Sequence, residues 1–227
     1  MKCDIIELDI SSYENSIRFQ DDILKKRQNS QINDTIIFTQ HYPVITIGRK
    51  GSLQGILATD AQLNKIAVKV INTDRGGDVT YHGPGQVIAW PIFDLNQIGR
   101  DLHKYMRMLE DTVILLLKEQ SIFPKRINNL TGVWVQDEKI ASLGIGVKKW
   151  VSYHGISLNV NTSLEHLAMV LPCGLKDRSS TTISKILGED VDIARVKNVW
   201  QDKFKEVFGL EFGKLEKIPS LDKKDDP

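Results

Sequence analysis

The stretch RGGDVTYHGPGQ, residues 75–86, decides how the rest of this chain is organised. It holds four glycines and one proline between two apolar segments, residues 66–73 and 87–95. Glycine occurs where the chain takes a positive φ or where another group presses against the backbone, so the pattern predicts a loop between two strands. A plain connection needs neither a cation nor an imidazole. Arg75, Thr80 and His82 therefore indicate a binding role, with a decorated connection as the alternative.

The composition is that of an ordinary globular protein. Apolar residues make up 41% and charged residues 26% of the 227 residues, and the formal net charge is +1. This charge balance does not favour nucleic-acid binding, which needs a basic surface. The longest apolar run, residues 113–117, falls far short of the ~20 residues that span a membrane. The N-terminal residues lack the apolar segment of a secretory signal, so we expect a cytoplasmic protein without a membrane or nucleic-acid partner.

The cysteines and histidines form no metal-binding pattern. Cys3 and Cys173 are the two cysteines, and the five histidines are scattered along the chain. A disulfide framework needs more cysteines, and a structural zinc site needs Cys and His clustered at short spacings. We expect no metal site.

Hydrophobic periodicity predicts helices and strands in mixed order. The clearest helix covers residues 101–119, where six apolar residues at offsets 0, 3, 4, 7, 11 and 14 from Leu102 form one core-facing stripe. Pro91 has no N–H to donate, which argues for an edge or bulged position in its strand. Two further helices are predicted, at residues 13–26 and 191–207. Strands are predicted at residues 4–10, 35–39, 44–48, 67–73, 86–95, 132–136, 139–147 and 156–160.

These elements do not alternate regularly, which predicts an α+β fold rather than a doubly wound sheet. We expect a main catalytic domain over residues 1–170. A small C-terminal lobe, residues 171–227, would begin with the candidate nucleophile and pack on the main domain, with a single domain as the alternative. The charged end, residues 221–227, is expected to fray.

Cys173, between a proline and a glycine, is that candidate nucleophile. A cysteine reacts as the thiolate, and an ordinary thiol is only a few per cent ionised at neutral pH, so it needs a partner. A histidine or a lysine can serve, and the residues alone leave the choice open. Lys139 opens a mostly apolar run in which a lysine is less readily solvated. A buried, unreactive cysteine and a solvated strand-end lysine are the alternatives.

Several segments together resemble the lipoyl(octanoyl) transferase family, the octanoyltransferases of lipoate synthesis. The resemblance covers nearly the whole chain. Two positions depart from the family pattern: Trp90 stands where tyrosine is usual, and Ser157, where alanine is usual, puts a hydroxyl near the presumed acyl site. The segments are RGGDVTYHGPGQVIAWP (75–91), KIASLGIGV (139–147), YHGISLNV (153–160) and PCGLKD (172–177), with QHYPVITIG (40–48), HKYMRMLE (103–110) and TGVWV (131–135) matching in order.

The resemblance implies both a fold and an activity. The fold is that of the biotin and lipoate protein ligase catalytic domains, a mixed β-sheet flanked by helices. The activity is transfer of an octanoyl group from octanoyl-acyl carrier protein to a specific lysine of lipoyl domains, through a cysteine acyl-thioester, as the first step of endogenous protein lipoylation. The implied acceptors are the 2-oxoacid dehydrogenase E2 subunits and the glycine cleavage H protein. Thioester exchange requires no ATP, so no cofactor is expected.

The resemblance also implies the site. Cys173 is the acyl-thioester nucleophile, and Lys139 stabilises the thiolate and handles protons. His82 is expected to fix the loop through a backbone hydrogen bond rather than act as general base, and Gly144 and Gly155 to leave an open slot for an eight-carbon chain. The implied substrate-binding residues are Arg75, Gly76, Gly77, Asp78, Val79, Thr80, Tyr81, His82, Ser142, Leu143, Gly144, Gly155, Ile156 and Ser157.

Two alternatives remain at the level of sequence. An ATP-dependent lipoate or biotin protein ligase would form an acyl-adenylate and would not depend on Cys173. A non-catalytic acyl-chain carrier would need the pocket but no nucleophile. Acyl carrier proteins are acidic, so four cations beside the shared segments are candidate docking residues: Arg49, Lys50, Lys148 and Lys149.

Overall fold

The computed structural model describes residues 1–222. The helices are α1 (Tyr13–Gln28), α2 (Asp60–Lys65), α3 (Leu102–Glu119), α4 (Leu164–Leu167), α5 (Ile183–Leu187) and α6 (Ile193–Phe208). The first six strands are β1 (Lys2–Leu8), β2 (Asp34–Thr39), β3 (Val44–Ile47), β4 (Lys69–Asn72), β5 (Val79–His82) and β6 (Gln86–Ile92). The next six are β7 (Pro124–Ile127), β8 (Leu130–Val135), β9 (Glu138–Lys148), β10 (Val151–Asn159), β11 (Ser179–Ser180) and β12 (Glu211–Ile218).

Two sheets organise these elements. Over the described residues, nine strands form one sheet in the order β12-β1-β2-β6-β10-β9-β8-β7, with β11 paired to β9. Three strands form a second sheet in the order β4-β3-β5. The large sheet is mixed, because β1 runs parallel to β2 and β12 whereas β2, β6, β10 and β9 pair antiparallel. The predicted α+β class, a mixed sheet flanked by helices, is confirmed.

Alternation along the central strands builds a core on each face of the large sheet. Ile36 and Ala89 belong to the cluster that α3 and α6 cover. Their strand neighbours Ile37 and Trp90 belong to the cluster that α1 covers. Successive strand side chains point to opposite faces, so a strand buried on both sides reads as a continuous apolar run. This burial makes the middle of the sheet a rigid platform for the site.

The stretch at residues 75–86 is not one loop, as the glycines had suggested. Residues 79–82 form β5, which pairs antiparallel with β3 through Val44 and His82. Valine, threonine and tyrosine favour a pleated strand, and the glycine pairs on each side mark its two turns. The turn signals masked a four-residue strand between them.

Of the two positions expected for Pro91, an edge or a bulge, the edge is wrong, because β6 lies between β2 and β10. The β6–β10 pairing ends at Ala89 and Ile156, before it reaches Pro91. The Pro91 carbonyl faces β10 and accepts from Ser152 Oγ at 2.7 Å and Tyr105 Oη at 3.3 Å. The N–H and C=O of a strand residue point to the same side, so the missing N–H costs no ladder hydrogen bond to β2.

The C-terminal part contains a strand that periodicity did not reveal. β12 pairs parallel with β1 at one edge of the large sheet, and most of its side chains are exposed on both faces. An edge strand without a buried face carries no alternation for a sequence pattern to detect.

Residues 171–222 share the large sheet and one apolar cluster with residues 1–170. The division at residue 171 stays a prediction, and we propose that both parts fold as one domain. The last residues of the predicted frayed end, 223–227, lie outside the described residues. Within residues 1–222, none of the helices combines the length and hydrophobicity needed to cross a bilayer.

Candidate active site

Cys173 lies in a tight turn between α4 and β11. The turn spans Pro172–Gly174, and Cys173 itself has φ 55° and ψ 26°, in the left-handed region that favours glycine. For other residues this conformation costs roughly 1–2 kcal/mol, and such strain often occurs at functional sites. The Cys173 Sγ lies 3.1 Å from Lys139 Nζ and 3.8 Å from the Thr131 carbonyl oxygen. The strained turn thus presents the sulfur to a cation.

Lys139 lies near the start of β9 and is 7% exposed. Its backbone is held from both sides, by Trp134 of β8 and by Ser180 of β11. The Thr181 N–H donates to the Lys139 carbonyl at 2.9 Å, and the ammonium lies 5.7 Å from the centroid of the Trp134 ring. A cation over an aromatic face is attracted by the ring quadrupole. Since β11 follows the Cys173 turn closely in the chain, its pairing with β9 also ties that turn to Lys139.

The Arg75 loop, residues 75–78, packs against β9. The Arg75 guanidinium is buried and donates to the Thr46 carbonyl at 2.8 Å and to the Gly76 carbonyl at 3.0 Å. Burial lowers the pKa of Arg75 to about 10, so it remains charged at neutral pH. The Gly76 N–H donates to the Ile145 carbonyl at 2.9 Å, which joins the loop to β9. A buried cation held by neutral oxygens is thereby placed at the wall of the site.

Two cavities meet at this wall. The reaction cleft has a volume of about 540 Å³ and contains Cys173, Lys139 and the Arg75 loop. The inner cavity, about 30 Å³, lies under α1 and is lined by Tyr13 and Trp90 among others. The residues that border both cavities are Arg75, Thr80, Ser142, Leu143 and Gly144. The arrangement is a nucleophile in an open cleft with a narrow extension behind it.

Comparison with known proteins identifies the family. The sequence model of the lipoyl protein ligase A/B catalytic domain matches residues 12–205. The chain belongs to this family. It is 46% identical over 214 residues to an octanoyltransferase of Caldicellulosiruptor bescii, covering 92% of this chain and 93% of that one. It is 43% identical over 214 residues to an octanoyltransferase of Caldicellulosiruptor saccharolyticus, covering 93% and 91%.

A solved structure shows the same fold at low sequence identity. A crystal structure of lipoate-protein ligase A bound with ATP has a TM-score of 0.80 and 17% identity, covering 96% of this chain and 90% of that one. The resemblance to the lipoyl(octanoyl) transferases is confirmed by the curated relatives, and the fold by this structure.

Most of the predicted substrate-binding residues of this lipoyl protein ligase family member line the two cavities. Tyr81 lies outside both, and its hydroxyl lies 2.9 Å from His166 Nδ1. The reaction cleft takes Arg75, Gly76, Gly77, Asp78, Val79, Thr80, Ser142, Leu143 and Gly144. The inner cavity takes His82, Gly155, Ile156 and Ser157.

The two glycines expected to leave an open slot do something else. A Cβ on Gly144 would collide with the carbonyl oxygen of Gly76. A Cβ on Gly155 would collide with the carbonyl oxygen of Ala89 and lie 2.8 Å from Cδ of Pro91. Both glycines therefore permit close backbone packing, and the expectation of free space beside them is wrong.

Two histidines of the inner cavity, His82 and His41, are buried and neutral. His82 Nδ1 lies 2.7 Å from Gln86 Oε1, and Nε2 lies 3.3 Å from Thr46 Oγ1. Burial, with positive neighbours adding to it, holds the pKa of His82 well below 6.5. His82 is thus fixed by side chains rather than by the backbone hydrogen bond that we expected. Burial likewise lowers the pKa of His41 to about 4.

His154 belongs to a different pair. Its Nε2 lies 2.8 Å from Asp74 Oδ1, and the Tyr153 hydroxyl donates to Asp74 Oδ2 at 2.8 Å. The hydrogen bond from His154 is the main cause that lowers the pKa of Asp74 to about 2. Within the part of the chain that the structure describes, no group of three or more His, Cys, Asp or Glu side chains is arranged to hold a metal ion.

Sequence reasoning missed part of the cleft wall. Leu102 and Met106 open the apolar stripe of α3, yet both line the reaction cleft, and Leu102 is 39% exposed. Periodicity identifies the apolar face of a helix but does not show whether a residue on that face packs in the core or lines a cleft. Tyr13, His41 and Trp90 of the inner cavity carried no local signal either, because they come from three separate elements.

Proposed function

We propose that this protein is an acyltransferase that transfers an octanoyl group from octanoyl-acyl carrier protein to a lysine of lipoyl domains. The curated relatives named octanoyltransferase support the reaction class. The observation that carries the proposal is the 3.1 Å contact between Lys139 Nζ and Cys173 Sγ at the floor of an open cleft. A ligase that activates its acid with ATP needs no such pair.

The first half-reaction moves the acyl group to the enzyme. The Cys173 thiolate attacks the thioester carbonyl of the donor, and the bond to the carrier sulfur breaks. The Lys139 ammonium donates its proton to the departing carrier thiolate, which leaves Lys139 neutral. One thioester replaces another, so the step is close to isoenergetic and consumes no ATP.

The second half-reaction delivers the acyl group. The neutral amine of the acceptor lysine attacks the acyl-Cys173 carbonyl, and Lys139 takes the proton that the nitrogen loses. The amide forms, the Cys173 thiolate leaves, and Lys139 is again an ammonium. The proton balance closes over the cycle, which is the reason for pairing the thiol with a group that can both give and take a proton.

The test is the intact-protein mass after mixing with octanoyl-acyl carrier protein. We expect a hydroxylamine-labile octanoyl adduct that is lost in Cys173→Ser. Cys3→Ala is the matched control, because Cys3 is fully buried and burial raises the pKa of its thiol. Absence of an adduct on the wild-type protein would favour a non-catalytic carrier. Robust pyrophosphate exchange with ATP and octanoate would favour a ligase.

We further infer where the acidic carrier docks. Arg49 and Lys50 are exposed and line the reaction cleft, while Lys148 and Lys149 lie at the turn between β9 and β10. Exposed complementary charges raise association rates, and salt screens them over about 10 Å at 0.1 M.

We expect kcat/KM with the acyl carrier to fall as salt is added, and Arg49→Glu or Lys50→Glu to lower it at low salt. Lys217→Glu is the control, since Lys217 lies on β12 at the far edge of the large sheet. A rate that does not change with salt contradicts this docking surface.

A further inference from the structure

We propose that Glu110, on α3, is a positioning residue that holds Lys139 beside Cys173 through the backbone of Gly132. The inference rests on the proposed function, because it gives Glu110 a part in preparing the proposed catalytic pair. Glu110 touches neither Cys173 nor Lys139 through its own hydrogen bonds, so its effect is transmitted by the chain between them.

Glu110 is a buried carboxylate whose oxygens are all occupied. It is 1% exposed, and its Oε2 accepts from Arg107 Nη1 and from Arg126 Nε, each at 2.7 Å. Its Oε1 accepts the backbone N–H of Gly132 at 3.0 Å. A buried charge is retained only when it is paired and fully hydrogen-bonded. The two arginines pair with the negative charge through Oε2, and Oε1 contacts the backbone of β8.

Gly132 is the point where β8 passes under the side chain of Lys139. Its φ is +119°, a conformation that glycine alone adopts readily. A Cβ at this position would lie 2.7 Å from Lys139 Cε and 2.5 Å from the Ala141 carbonyl oxygen. The pairing of β8 with β9 shifts register between Val133 and Trp134, just after this glycine. The irregularity in β8 therefore clears the path of the lysine stem.

These contacts connect α3 with the nucleophile. The Glu110 carboxylate fixes the Gly132 amide, Gly132 forms one wall of the channel for the Lys139 stem, and the Lys139 ammonium lies 3.1 Å from Cys173 Sγ. A lysine has four rotatable side-chain bonds, so its charge is held at one place only where packing limits the stem. Without the carboxylate, the Gly132 N–H loses its partner and β8 is free to close over the stem.

The experiment measures the rate of Cys173 alkylation by iodoacetamide against pH in Glu110→Ala. Alkylation follows the thiolate, so an ammonium displaced from the sulfur moves the profile to higher pH. We expect alkylation at neutral pH to slow about tenfold for each pH unit by which the profile moves. Should Glu110→Ala not fold, Glu110→Gln keeps the side-chain shape, and we expect it to move the profile less far in the same direction.

The matched control is Thr112→Val on the same helix. Thr112 is fully buried and accepts from Trp200 Nε1 at 2.8 Å, so its loss weakens α3 without touching Gly132. We expect Thr112→Val to lower the melting temperature and leave the alkylation profile unchanged. An unchanged profile in Glu110→Ala, with a similar loss of melting temperature, would overturn the proposal.

A double variant distinguishes an effect of Glu110 on the position of Lys139 from a general loss of stability. If Glu110 acts through Lys139, adding Glu110→Ala to Lys139→Ala moves the alkylation profile no further. Additive displacements of the profile in the double variant would contradict that route. The alkylation assay needs no acyl donor, so its outcome is independent of whether the wild-type protein forms the octanoyl adduct.

Discussion

At the scale of single residues, the chemistry depends on which partners are free. Lys139 has the Cys173 sulfur at 3.1 Å and the Trp134 ring at 5.7 Å. The carboxylate next to it in the chain, Glu138, is taken by Lys185 at 2.8 Å. A cation whose neighbouring acid is already paired remains available to a thiolate. At an effective dielectric of about 20, a unit charge ~4 Å away contributes roughly 4 kcal/mol before desolvation.

Lys139→Ala tests the contact between Lys139 and Cys173. We expect alkylation of Cys173 to move to higher pH, because the thiolate loses its counter-charge. Acyl transfer should fall by about 10²–10⁴-fold, the usual contribution of a positioned proton carrier. Lys69→Ala is the control, since it removes an exposed cation that pairs with Glu14 and contacts neither Lys139 nor the sulfur. The same pH profile in Lys139→Ala and wild type would contradict the pairing.

At the scale of elements, the site depends on backbones that approach closely. The Arg75 loop lies against β9 at Gly144, and β10 lies against β6 at Gly155. These contacts set the position of the wall that the reaction cleft and the inner cavity share. The two glycines thus allow neighbouring backbones to pack closely, and they do not widen the cavity for a ligand.

Gly155→Ala tests this role. The new Cβ would meet the Ala89 carbonyl and the Pro91 ring, which belong to a buried central strand and cannot move aside. Forced overpacking costs typically about 1–3 kcal/mol of unfolding free energy. Ser157→Ala, two residues further along β10, removes an atom and should cost less than about 1 kcal/mol, because its hydroxyl makes one long hydrogen bond of 3.5 Å to the Ser142 carbonyl. Urea denaturation measures the unfolding free energy of each variant. Equal losses in Gly155→Ala and Ser157→Ala would contradict the role of Gly155 in close backbone packing.

At the scale of the whole molecule, two neutral histidines, His41 and His82, line the inner cavity where α1 and both sheets meet. The rings of His41 and His82 lie 6.0 Å apart, and Tyr13 stacks on His82 with centroids 6.2 Å apart. Burial is the main cause of the low pKa of both histidines. Their neutrality is therefore a property of the assembled fold and not of any one element.

Acid should destabilise the protein for this reason. Below about pH 6.5 the unfolded chain binds protons on both histidines and the folded chain does not. The unfolding free energy is therefore full above that pH and falls as the pH drops toward about 4, where His41 titrates in the folded state. Each histidine contributes about 1.4 kcal/mol per pH unit within this window.

Urea denaturation at pH 7, 6 and 5 measures the slope. We expect the unfolding free energy to fall across this range. His82→Gln should reduce the slope of unfolding free energy against pH by the contribution of one histidine, about 1.4 kcal/mol per pH unit. A free energy of unfolding that stays constant from pH 7 to 5 would show that these histidines are not buried neutral in solution.

Local spacing determined much of this protein from the sequence. The apolar offsets predicted a helix at residues 101–119, where α3 spans Leu102–Glu119, because a helix brings residues three and four apart onto one face. Alternation and β-branched content located most strands, because both are visible within one strand and do not depend on which strands pair with it. Cys173 stood out by its chemistry and its glycine neighbour, and the multi-segment resemblance singled out Lys139.

Only the tertiary structure decided which distant groups meet. Nothing in the spacing of Lys139 and Cys173 states that they lie 3.1 Å apart; the pairing of β9 with β11 brings them together. Glu110 sat inside an apolar stripe, and its proposed role depends on Gly132 of β8, on Arg126 of β7 and on Arg107 of its own helix. The physical reason is that periodicity reports which face of an element is buried, whereas partners across the core are set by backbone approach and by the need to satisfy every buried charge.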